Sequence, residues 1–479
     1  MIESQTLPPM IAALLKRARQ EHGAGKVELL ETHISWVLLA GDYAYKIKKP
    51  VTLPFVDYSS LKARRAFCEA ELMLNRRYAP DIYLGLEPIG GSAEAPILGE
   101  MPAIEWAVKM RRFDEKWRMD HVCARGELTP AIVFDLVQIV AAFHEAALKA
   151  PPGSRFGEAD QVLAPALENF EELRPLLPAE EALLSNLERW TRIEFERCQT
   201  SFAARKRAGH IRECHGDLHL GNIVLLDGRA VPFDCIEFNE DLRWIDQASE
   251  LAFTYEDLLD HGQPGLANWL ISEWLAATGD FEALGVLPFY AVYRALVRAK
   301  VAALGGNVAE ACEYLAMATR LSTRPHPTLS ITYGLSGSGK TTLSSALLLD
   351  DKTANTVRIR SDVERKRLFG LALENAGGNI YTEEATNRTY RRLEKLAEDT
   401  LSAGWSVIVD AAFLRRIQRE QFRNLAGRLN LSFKILACEA PPDELCRRLR
   451  ARQNDASDAT VAVLEQQLKF AEALTEEEI

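Results

Sequence analysis

The sequence predicts two domains of different class, an α+β domain of strands followed by helices and then an α/β domain with a parallel sheet. The first domain is indicated by alternating short strands up to about residue 111, followed by segments of 3.6-residue apolar period. The second is indicated by a β-rich run, residues 329–333, that leads directly into a glycine-rich turn and a helix. A proline-containing stretch at residues 322–327 is the predicted linker, which places the domains at residues 1–321 and 328–479.

The bulk composition is that of a globular protein with more than one core. A chain of 479 residues is too long for one ordinary core, and 47% hydrophobic with 26% charged residues is typical of soluble domains. The net charge of −11 argues against a general nucleic-acid surface. Eight cysteines without C-x-x-C spacing indicate reduced thiols. With no secretory leader pattern and no apolar run of membrane length, we expect a cytoplasmic protein without a membrane partner.

A candidate phosphate-binding lysine lies in the N-terminal strands. Residues 35–47 predict a β-hairpin whose second strand places Ala44 and Lys46 on one face. The spacing from a small residue to a lysine has the shape of the kinase strand in which the lysine meets the phosphates. The signal is weak by itself, because a lysine on a strand is more often solvated. The helix that follows carries Glu69 and Glu71, and the sequence does not decide which of them would pair with Lys46.

Residues 213–238 carry the strongest chemical signal of the first domain. Asp217 and Asn222 are five residues apart, and a predicted hairpin returns Asp234 beside Asn222. Phosphoryl transfer needs a carboxylate to orient the attacking hydroxyl, which Asp217 would supply, and oxygen ligands for Mg²⁺, which Asn222 and Asp234 would supply. Each residue alone is often only a turn former. As a set they predict a kinase site.

Three short motifs resemble those of the aminoglycoside phosphotransferase family: HGDLHLGN at 215–222, FD at 233–234, and ID ahead of SELA at 245–252. The resemblance covers roughly residues 30–320 and implies a protein-kinase-like bilobal fold. It also implies Asp217 as the catalytic base, Asn222 and Asp234 as metal ligands, and Lys46 at the phosphates. An antibiotic substrate is not implied, because acceptor choice in this family lies in the variable helical lobe. Members also phosphorylate small metabolites such as choline and homoserine.

The second domain begins with a complete G-x-x-x-x-G-K-[ST] pattern from Gly334 to Thr341. The glycines let backbone N–H groups cradle phosphate oxygens, Lys340 would reach the β- and γ-phosphates, and Thr341 would ligate Mg²⁺. The expected cofactor is ATP or GTP with Mg²⁺. The residues predicted to contact the nucleotide are Gly334, Ser336, Gly337, Ser338, Gly339, Lys340, Thr341 and Thr342.

Asp362 has two possible roles in the sequence. It follows a predicted strand, residues 356–360, whose carboxyl end lies where ligands bind in open α/β sheets. There it could accept the proton of an acceptor hydroxyl. Alternatively, Ser361 and Glu364 form a capping box, and Asp362 merely complements the helix dipole. We favour the catalytic role.

Two further candidates complete the second site. Asp410 ends a buried strand, where it could contact Mg²⁺ through a water molecule, as a Walker-B aspartate does. The arginine-rich helix 442–452 is followed by a flexible stretch that suits a closing lid, with Arg452 meeting the transferred phosphoryl group; the alternative is simple dipole complementation.

This half resembles P-loop small-molecule and polynucleotide kinases, closest to an uncharacterised kinase group related to polynucleotide kinase, gluconate kinase and zeta-type toxins. The resemblance implies a P-loop NTPase fold, a three-layer α/β sandwich.

The leading hypothesis is an enzyme with two kinase-type sites that transfer the γ-phosphoryl group to a hydroxyl of a small molecule. The alternative makes the P-loop half a polynucleotide 5′-hydroxyl kinase or RNA-modifying enzyme, with the other half a recognition or regulatory nucleotide-binding module. The acidic balance and the lack of an aromatic-rich basic stretch disfavour a nucleic-acid partner.

Overall fold

The computed structural model describes residues 7–53, 56–371, 382–451 and 460–478. They pack as two compact units that interleave along the chain. The first unit comprises Met1–Leu128, Ala142–Gly157 and Ala208–Glu250, and the second comprises Thr129–Ala141, Glu158–Arg207 and Leu251–Ile479, each in its described parts. The second unit therefore contains helices from before residue 322 together with everything after it. The domain boundary predicted at residues 322–327 stays a prediction.

The strands, in chain order, are β1 (Val27–Glu31), β2 (Ser35–Ala40), β3 (Tyr43–Lys48), β4 (Thr52–Leu53), β5 (Val56–Asp57), β6 (Tyr83–Gly91), β7 (Pro96–Leu98), β8 (Glu105–Arg111), β9 (Ile211–Glu213), β10 (Ile223–Leu226), β11 (Arg229–Pro232), β12 (Trp244–Asp246), β13 (Thr328–Tyr333), β14 (Thr356–Arg360), β15 (Ser406–Asp410) and β16 (Ser432–Ala437).

The helices, in chain order, are α1 (Pro9–His22), α2 (Leu61–Asn75), α3 (Met119–Ala124), α4 (Pro130–Ala146), α5 (Ala159–Leu176), α6 (Glu181–Ala208), α7 (Glu240–Arg243), α8 (Gln247–Asp260), α9 (Pro264–Thr278), α10 (Leu287–Leu304), α11 (Val308–Ser322), α12 (Lys340–Asp350), α13 (Ser361–Leu368), α14 (Glu383–Ser402), α15 (Arg416–Arg428), α16 (Pro442–Ala451) and α17 (Val461–Phe470).

The first unit is built on an antiparallel sheet of order β1-β2-β3-β8-β6-β7, which confirms the predicted small sheet. Side chains alternate across β3, so Tyr45 and Ile47 pack on α1 in one core cluster. Lys46 and Lys48 consequently point to the opposite face, where α2 packs against β6 and β8. The period-2 pattern of one strand thus delivers two lysines to the same side of the sheet.

The hairpin of β10 and β11 forms as predicted and joins the core beneath α2. Asp227 at its turn has φ 51°, a conformation that Asp and Asn tolerate better than most residues. The 3.6-residue apolar period of residues 244–260 predicts one helix, and this prediction was wrong in part. Residues 244–246 instead form β12 and pair antiparallel with β9, because a long-range ladder satisfies their backbone.

The second unit contains a helical core and a parallel sheet. The helical core packs α5, α6, α10 and α11 around buried residues such as Phe170, Leu296 and Tyr314. The sheet has the order β14-β15-β13-β16, with every neighbouring pair parallel. The inner strand β15 is buried at every position and has an apolar centre, Val407 to Val409, as expected for a parallel sheet covered on both faces. Among the described helices, none has the length and apolar character needed to cross a bilayer.

Candidate active sites

Lys46 is the centre of the first site. Its Nζ lies 2.5 Å from Oδ1 of Asp234 and 2.9 Å from Oε1 of Glu71. The open choice between two glutamates is thereby decided, because Glu71 is buried against the lysine whereas Glu69 is exposed and pairs with Arg65 on its own helix. The rotation of α2 in its packed position selects the residue that faces the sheet.

A second lysine shares the same carboxylate. Lys48 Nζ lies 2.7 Å from Oε2 of Glu71 and also contacts Oε1 of Glu237, which accepts a hydrogen bond of 2.7 Å from Tyr58 Oη. Burial alone would raise the pKa of Glu71, but Lys46 and Lys48 outweigh it and lower that pKa to about 2. Burial would lower the pKa of Lys46, yet Asp234 and Glu71 raise it well above its usual value. Lys46 and Glu71 are therefore both charged near neutral pH.

The catalytic loop places Asp217 and Asn222 together. Asn222 ends a 3₁₀ turn, and its Nδ2 donates to Oδ2 of Asp217 at 2.8 Å and to the carbonyl of Asp217 at 3.0 Å. His219 Nε2 lies 3.6 Å from the same carboxylate oxygen. The Asp217 side chain remains 37% exposed, so a substrate hydroxyl can reach it.

Buried hydrogen bonds fix the start of this loop. Glu250 at the first turn of α8 accepts the backbone N–H groups of His215 at 2.6 Å and Gly216 at 2.9 Å. His144 Nε2 lies 3.1 Å from its other oxygen. Burial would raise the pKa of Glu250, but the hydrogen bond and charge of His144 contribute to lowering it. The sequence marked Glu250 only as part of a family motif, and its contact with the loop required the fold.

The donor atoms of this site fit a magnesium ion. Asp234 is 43% exposed, and its φ of 64° turns the chain sharply at the end of the hairpin. Asn222 uses its Nδ2 on Asp217, which leaves its amide oxygen for a cation. Carboxylate and amide oxygens are the hard ligands that Mg²⁺ prefers. Asn222 and Asp234 are therefore able to hold this ion.

The second site is built around the glycine-rich turn between β13 and α12. Gly334, Gly337 and Gly339 all have positive φ, at 148°, 85° and 99°. A Cβ on Gly334 would lie 2.2 Å from the carbonyl oxygen of Cys438, so only glycine fits there. α12 begins at Lys340, which directs its positive N-terminal end at the turn. Lys340 Nζ donates to the carbonyl of Leu335 at 2.8 Å.

Thr341 lies in the first turn of α12, and Asp410 lies at the end of β15, the strand that pairs with β13. Asp410 ends β15, is buried, and accepts a hydrogen bond of 3.1 Å from Ser344 Oγ. Ser344 in turn contacts the carbonyl of Thr341 at 3.1 Å. Both Thr341 and Asp410 line a cavity of about 930 Å³. Hydroxyl and carboxylate oxygens at one end of this cavity suit Mg²⁺ beside phosphates.

Asp362 and Arg365 line the same cavity at the carboxyl end of β14. The capping-box alternative for this segment was wrong. Ser361 is already inside α13, whose N-cap is Arg360 without a side-chain cap. Glu364 is buried and pairs instead with Arg367 and with Arg392 on α14. Asp362 lies in the first turn of α13, so it can both complement the dipole and face a substrate.

The predicted lid is only partly within the described chain. Arg452 and the stretch after it, which the sequence predicts as part of the lid, lie outside the described residues. Of the nearby arginines, Arg447 pairs with Glu444, as does Arg448, which also donates to the carbonyl of Gly337 at 3.3 Å. Arg448 therefore touches the phosphate loop from α16.

α17 lines one side of the cavity at the second site, which the sequence did not indicate. Gln467 Oε1 accepts the backbone N–H of Ser336 at 2.8 Å, and Phe470 lines the cavity next to it. Beyond α17, Glu478 pairs with the buried Arg419 at 2.7 Å. This ion pair holds the C-terminal residues against α15. No local pattern links these residues to the turn, because the contact joins segments about 130 residues apart.

α9 packs on the P-loop part of the second unit through buried polar contacts, which we call the α9 seam. Its residues are Gly265, Asn268, Ser272 and Glu273 on α9, with Leu348 and Leu349 on α12, Asp351, and Thr356 and Arg358 on β14.

The seam is closely fitted. Arg358 Nη2 lies 2.6 Å from Oε1 of Glu273, and both side chains are buried. Asn268 accepts the Thr356 N–H at 3.1 Å. A Cβ on Gly265 would lie 1.9 Å from the Leu349 carbonyl oxygen, so the helix approaches the backbone closely.

The fold and these two sites define a kinase-like domain followed by a P-loop nucleotide-binding domain. Family models agree with both. Residues 110–287 match the phosphotransferase enzyme family, and residues 329–474 match the AAA domain family. The two matches imply nucleotide binding and support phosphotransferase activity in general.

Uncharacterized proteins of Mycobacterium tuberculosis and Mycobacterium bovis are similar along almost the whole chain. Each is 29% identical over 458 residues, which cover 91% of this chain and 88% of the relative. Among solved structures, a choline kinase from Cryptosporidium parvum has a TM-score of 0.41 at 9% identity, covering 65% of this chain and 94% of its own. Aminoglycoside phosphotransferase APH(4)-Ia has a TM-score of 0.37 at 14% identity, covering 65% and 98%.

Proposed function

We propose that this protein is an enzyme with two kinase-type active sites, each transferring the γ-phosphoryl group of ATP or GTP to a hydroxyl of a small molecule. The N–H of Phe233, next to Asp234, donates to the Asn222 carbonyl at 2.9 Å, which links the Lys46–Asp234 contact to the Asp217–Asn222 contact. The observation that carries the proposal is this meeting of Lys46, Asp217, Asn222 and Asp234 in one partly exposed site. These residues come from a strand, a loop and a hairpin end. Their combination of one ammonium, two carboxylates and an amide is the set that phosphoryl transfer uses.

In the first site, Asp217 orients the acceptor hydroxyl and takes its proton as the new O–P bond forms and the bond to the β-phosphate oxygen breaks. Lys46 places its charge at the phosphates and is itself held by Glu71. Asn222 and Asp234 would hold Mg²⁺, which neutralises charge on the phosphates when bound.

In the second site, backbone N–H groups of the glycine-rich turn and the Lys340 ammonium bind the phosphates. The N–H of Ser336 donates to Gln467 Oε1 and that of Gly334 to the Ala412 carbonyl, so these two groups would have to exchange partners to contact a phosphate. Thr341 would hold Mg²⁺ directly and Asp410 through water. Asp362 accepts the proton of a hydroxyl placed in the cavity it lines. Since the chain carries a net charge of −11, a small-molecule partner is favoured over a nucleic acid.

The test is a phosphorylation screen with radiolabelled γ-phosphate on a panel of small metabolites and oligonucleotides. It uses the full chain, an Asp217→Asn variant and a Lys340→Ala variant. Each product should be lost in only one of the two variants. Products that survive in both would refute the assignment of the sites, and products confined to oligonucleotides would favour a polynucleotide kinase.

A further inference from the structure

Lys48 has no part in the phosphoryl-transfer assignment, yet it is one of the most buried charged groups of the first unit. It lies two residues after Lys46 on the same face of β3, and its side chain is 1% exposed. Burying an ammonium is costly unless it is paired and hydrogen-bonded. Its burial therefore indicates that its partners, rather than solvent, determine its role.

The contacts of Lys48 connect two carboxylates from different segments. Glu71 comes from α2, and Glu237 comes three residues after Asp234 in the segment that follows β11. Tyr58 Oη donates to the same oxygen of Glu237 that Lys48 contacts. Glu71 thus offers Oε1 to Lys46 and Oε2 to Lys48.

The charges of this cluster explain why a second lysine is needed. Two ammonium groups face three carboxylates, those of Glu71, Glu237 and Asp234. Without Lys48, Glu71 and Glu237 would lie close together with only Lys46 to compensate them, and like charges in a buried site repel strongly.

The position of Lys46 suggests a function for the contacts of Lys48 with Glu71 and Glu237. Here Lys46 is bound by Asp234 at 2.5 Å, and a phosphate would compete for the same ammonium. We propose that Lys48 is a positioning residue, which ties Glu71 to Glu237 so that Glu71 stays in place beside Lys46 when Lys46 turns to the nucleotide. The proposal rests on the phosphotransferase function proposed for the first site.

Two other contacts hold α2 in the same arrangement. Asn75, at the last turn of α2, accepts the backbone N–H of Cys235 at 2.8 Å. Arg64, in the first turn, forms a buried ion pair of 2.7 Å with Glu105 on β8. With Lys48 between them, α2 is fixed to the sheet and to the Asp234–Glu237 segment along its length.

The experiment uses the full chain with Lys340→Ala, so that nucleotide binding and hydrolysis report on the first site. Into this parent are introduced Lys48→Met, Glu237→Gln, both together, and Lys49→Met as the control. Lys49 is the next residue and pairs with the half-exposed Glu31 at the surface. Three quantities are measured: the thermal midpoint, the affinity for ATP without added metal, and the kcat and KM of transfer of the γ-phosphoryl group to water.

We expect Lys48→Met to lower the midpoint, because Glu71 and Glu237 are then left without their shared cation. The double variant should recover the midpoint, since a neutral Met–Gln pair replaces the charged one. Its kcat should nevertheless stay about tenfold or more below that of the parent, because Glu71 is no longer tied. Lys49→Met should match the parent in all three quantities.

A double variant with the parental kcat, KM and ATP affinity would overturn the proposal, because Lys48 would then serve folding alone. If the Lys340→Ala parent itself neither binds nor hydrolyses ATP, the proposed function of the first site fails instead. The two failures are thus distinguishable. If Lys48→Met alone does not fold, the double variant and Glu237→Gln still decide the question.

Discussion

Lys46 and Asp234 are 188 residues apart in the chain, yet Nζ of the lysine lies 2.5 Å from Oδ1 of the aspartate. This contact joins the small sheet to the end of the β10–β11 hairpin. It brings the residue predicted to bind phosphates next to a residue predicted to bind Mg²⁺. The candidate site therefore depends on the packing of the sheet against the catalytic segment, and changes to either side should alter it.

Asp217→Asn should reduce phosphoryl transfer at the first site by about 10²-fold or more, because an amide cannot take the proton of the acceptor hydroxyl. ATP affinity should change little. The measurement is single-turnover transfer in a Lys340→Ala background. Asp227→Asn is the matched control, since Asp227 is at an exposed hairpin turn where asparagine accepts the positive φ. Full activity in Asp217→Asn would contradict the assignment of the base.

Lys340→Ala should abolish nucleotide binding at the second site, because it removes the ammonium that neutralises the β- and γ-phosphates. Calorimetric titration with ATP should then give one site where the unmodified chain gives two. Lys352→Ala, at an exposed position after α12, should leave both sites intact. Two unchanged sites in Lys340→Ala would show that the glycine-rich turn does not bind phosphate.

Glu71→Gln should impair the first site and destabilise its unit by about 3–5 kcal/mol, the usual cost of removing one partner of a buried pair. The two lysines would lose their common carboxylate. Glu69→Gln breaks only an exposed pair with Arg65 and should cost less than about 1 kcal/mol. Urea unfolding and ATP affinity of the two variants provide the comparison. Equal effects would mean that the buried cluster does not contribute.

Stability should also depend on pH through Glu71. Its pKa is lowered from 4.5 to about 2 in the folded chain. A depressed pKa contributes stability that is complete above the unfolded value of 4.5 and is lost as pH falls towards 2. This lowering of the pKa corresponds to about 3 kcal/mol of unfolding free energy. The difference in unfolding free energy between the unmodified chain and Glu71→Gln should therefore shrink from pH 7 to pH 3. A constant difference would show that Glu71 does not titrate in this way.

Glu273→Ala should destabilise the second unit by about 3–5 kcal/mol, since Arg358 would be left buried without its carboxylate. Replacing both residues, as Glu273→Leu with Arg358→Met, should recover most of the loss. Thermal unfolding of the three variants measures this. If Glu273→Ala unfolds at the unmodified temperature, the seam adds little to the stability of the unit.

The sequence predicted the parts of both sites that depend on local patterns. The glycine-rich turn requires positive φ at Gly337 and Gly339, and both have it. The five-residue spacing of Asp217 and Asn222 already places them within one short loop, where they hydrogen-bond. Alternation along β3 predicted the face of Lys46. Such features follow from backbone geometry over fewer than about ten residues.

Features that depend on packing between distant segments could not be predicted. Whether Glu69 or Glu71 faces Lys46 depends on how α2 is rotated against the sheet. The capping box predicted for Ser361 and Glu364 was wrong because Glu364 forms ion pairs with Arg367 and with Arg392 on α14. Lys48 lies on the same face of β3 as Lys46, but the sequence could not show its partner, since Glu237 lies 189 residues away. Local propensity carries no information about such contacts.

The α9 seam has a consequence for how this chain could be cut. After a break in the predicted linker before β13, only non-covalent contacts would hold the two pieces together. If the pieces separated, Glu273 and Asn268 would be exposed on one piece and Arg358 on the other. Trp405 would be exposed as well, because its Nε1 donates to the carbonyl of Leu284 in the helical part. Each piece would then have a solvent-exposed surface with charged and polar groups that are buried in the intact chain. A gene split at this point would therefore encode two subunits that must recombine, and a functional P-loop fragment would need to retain α9 or have its surface redesigned.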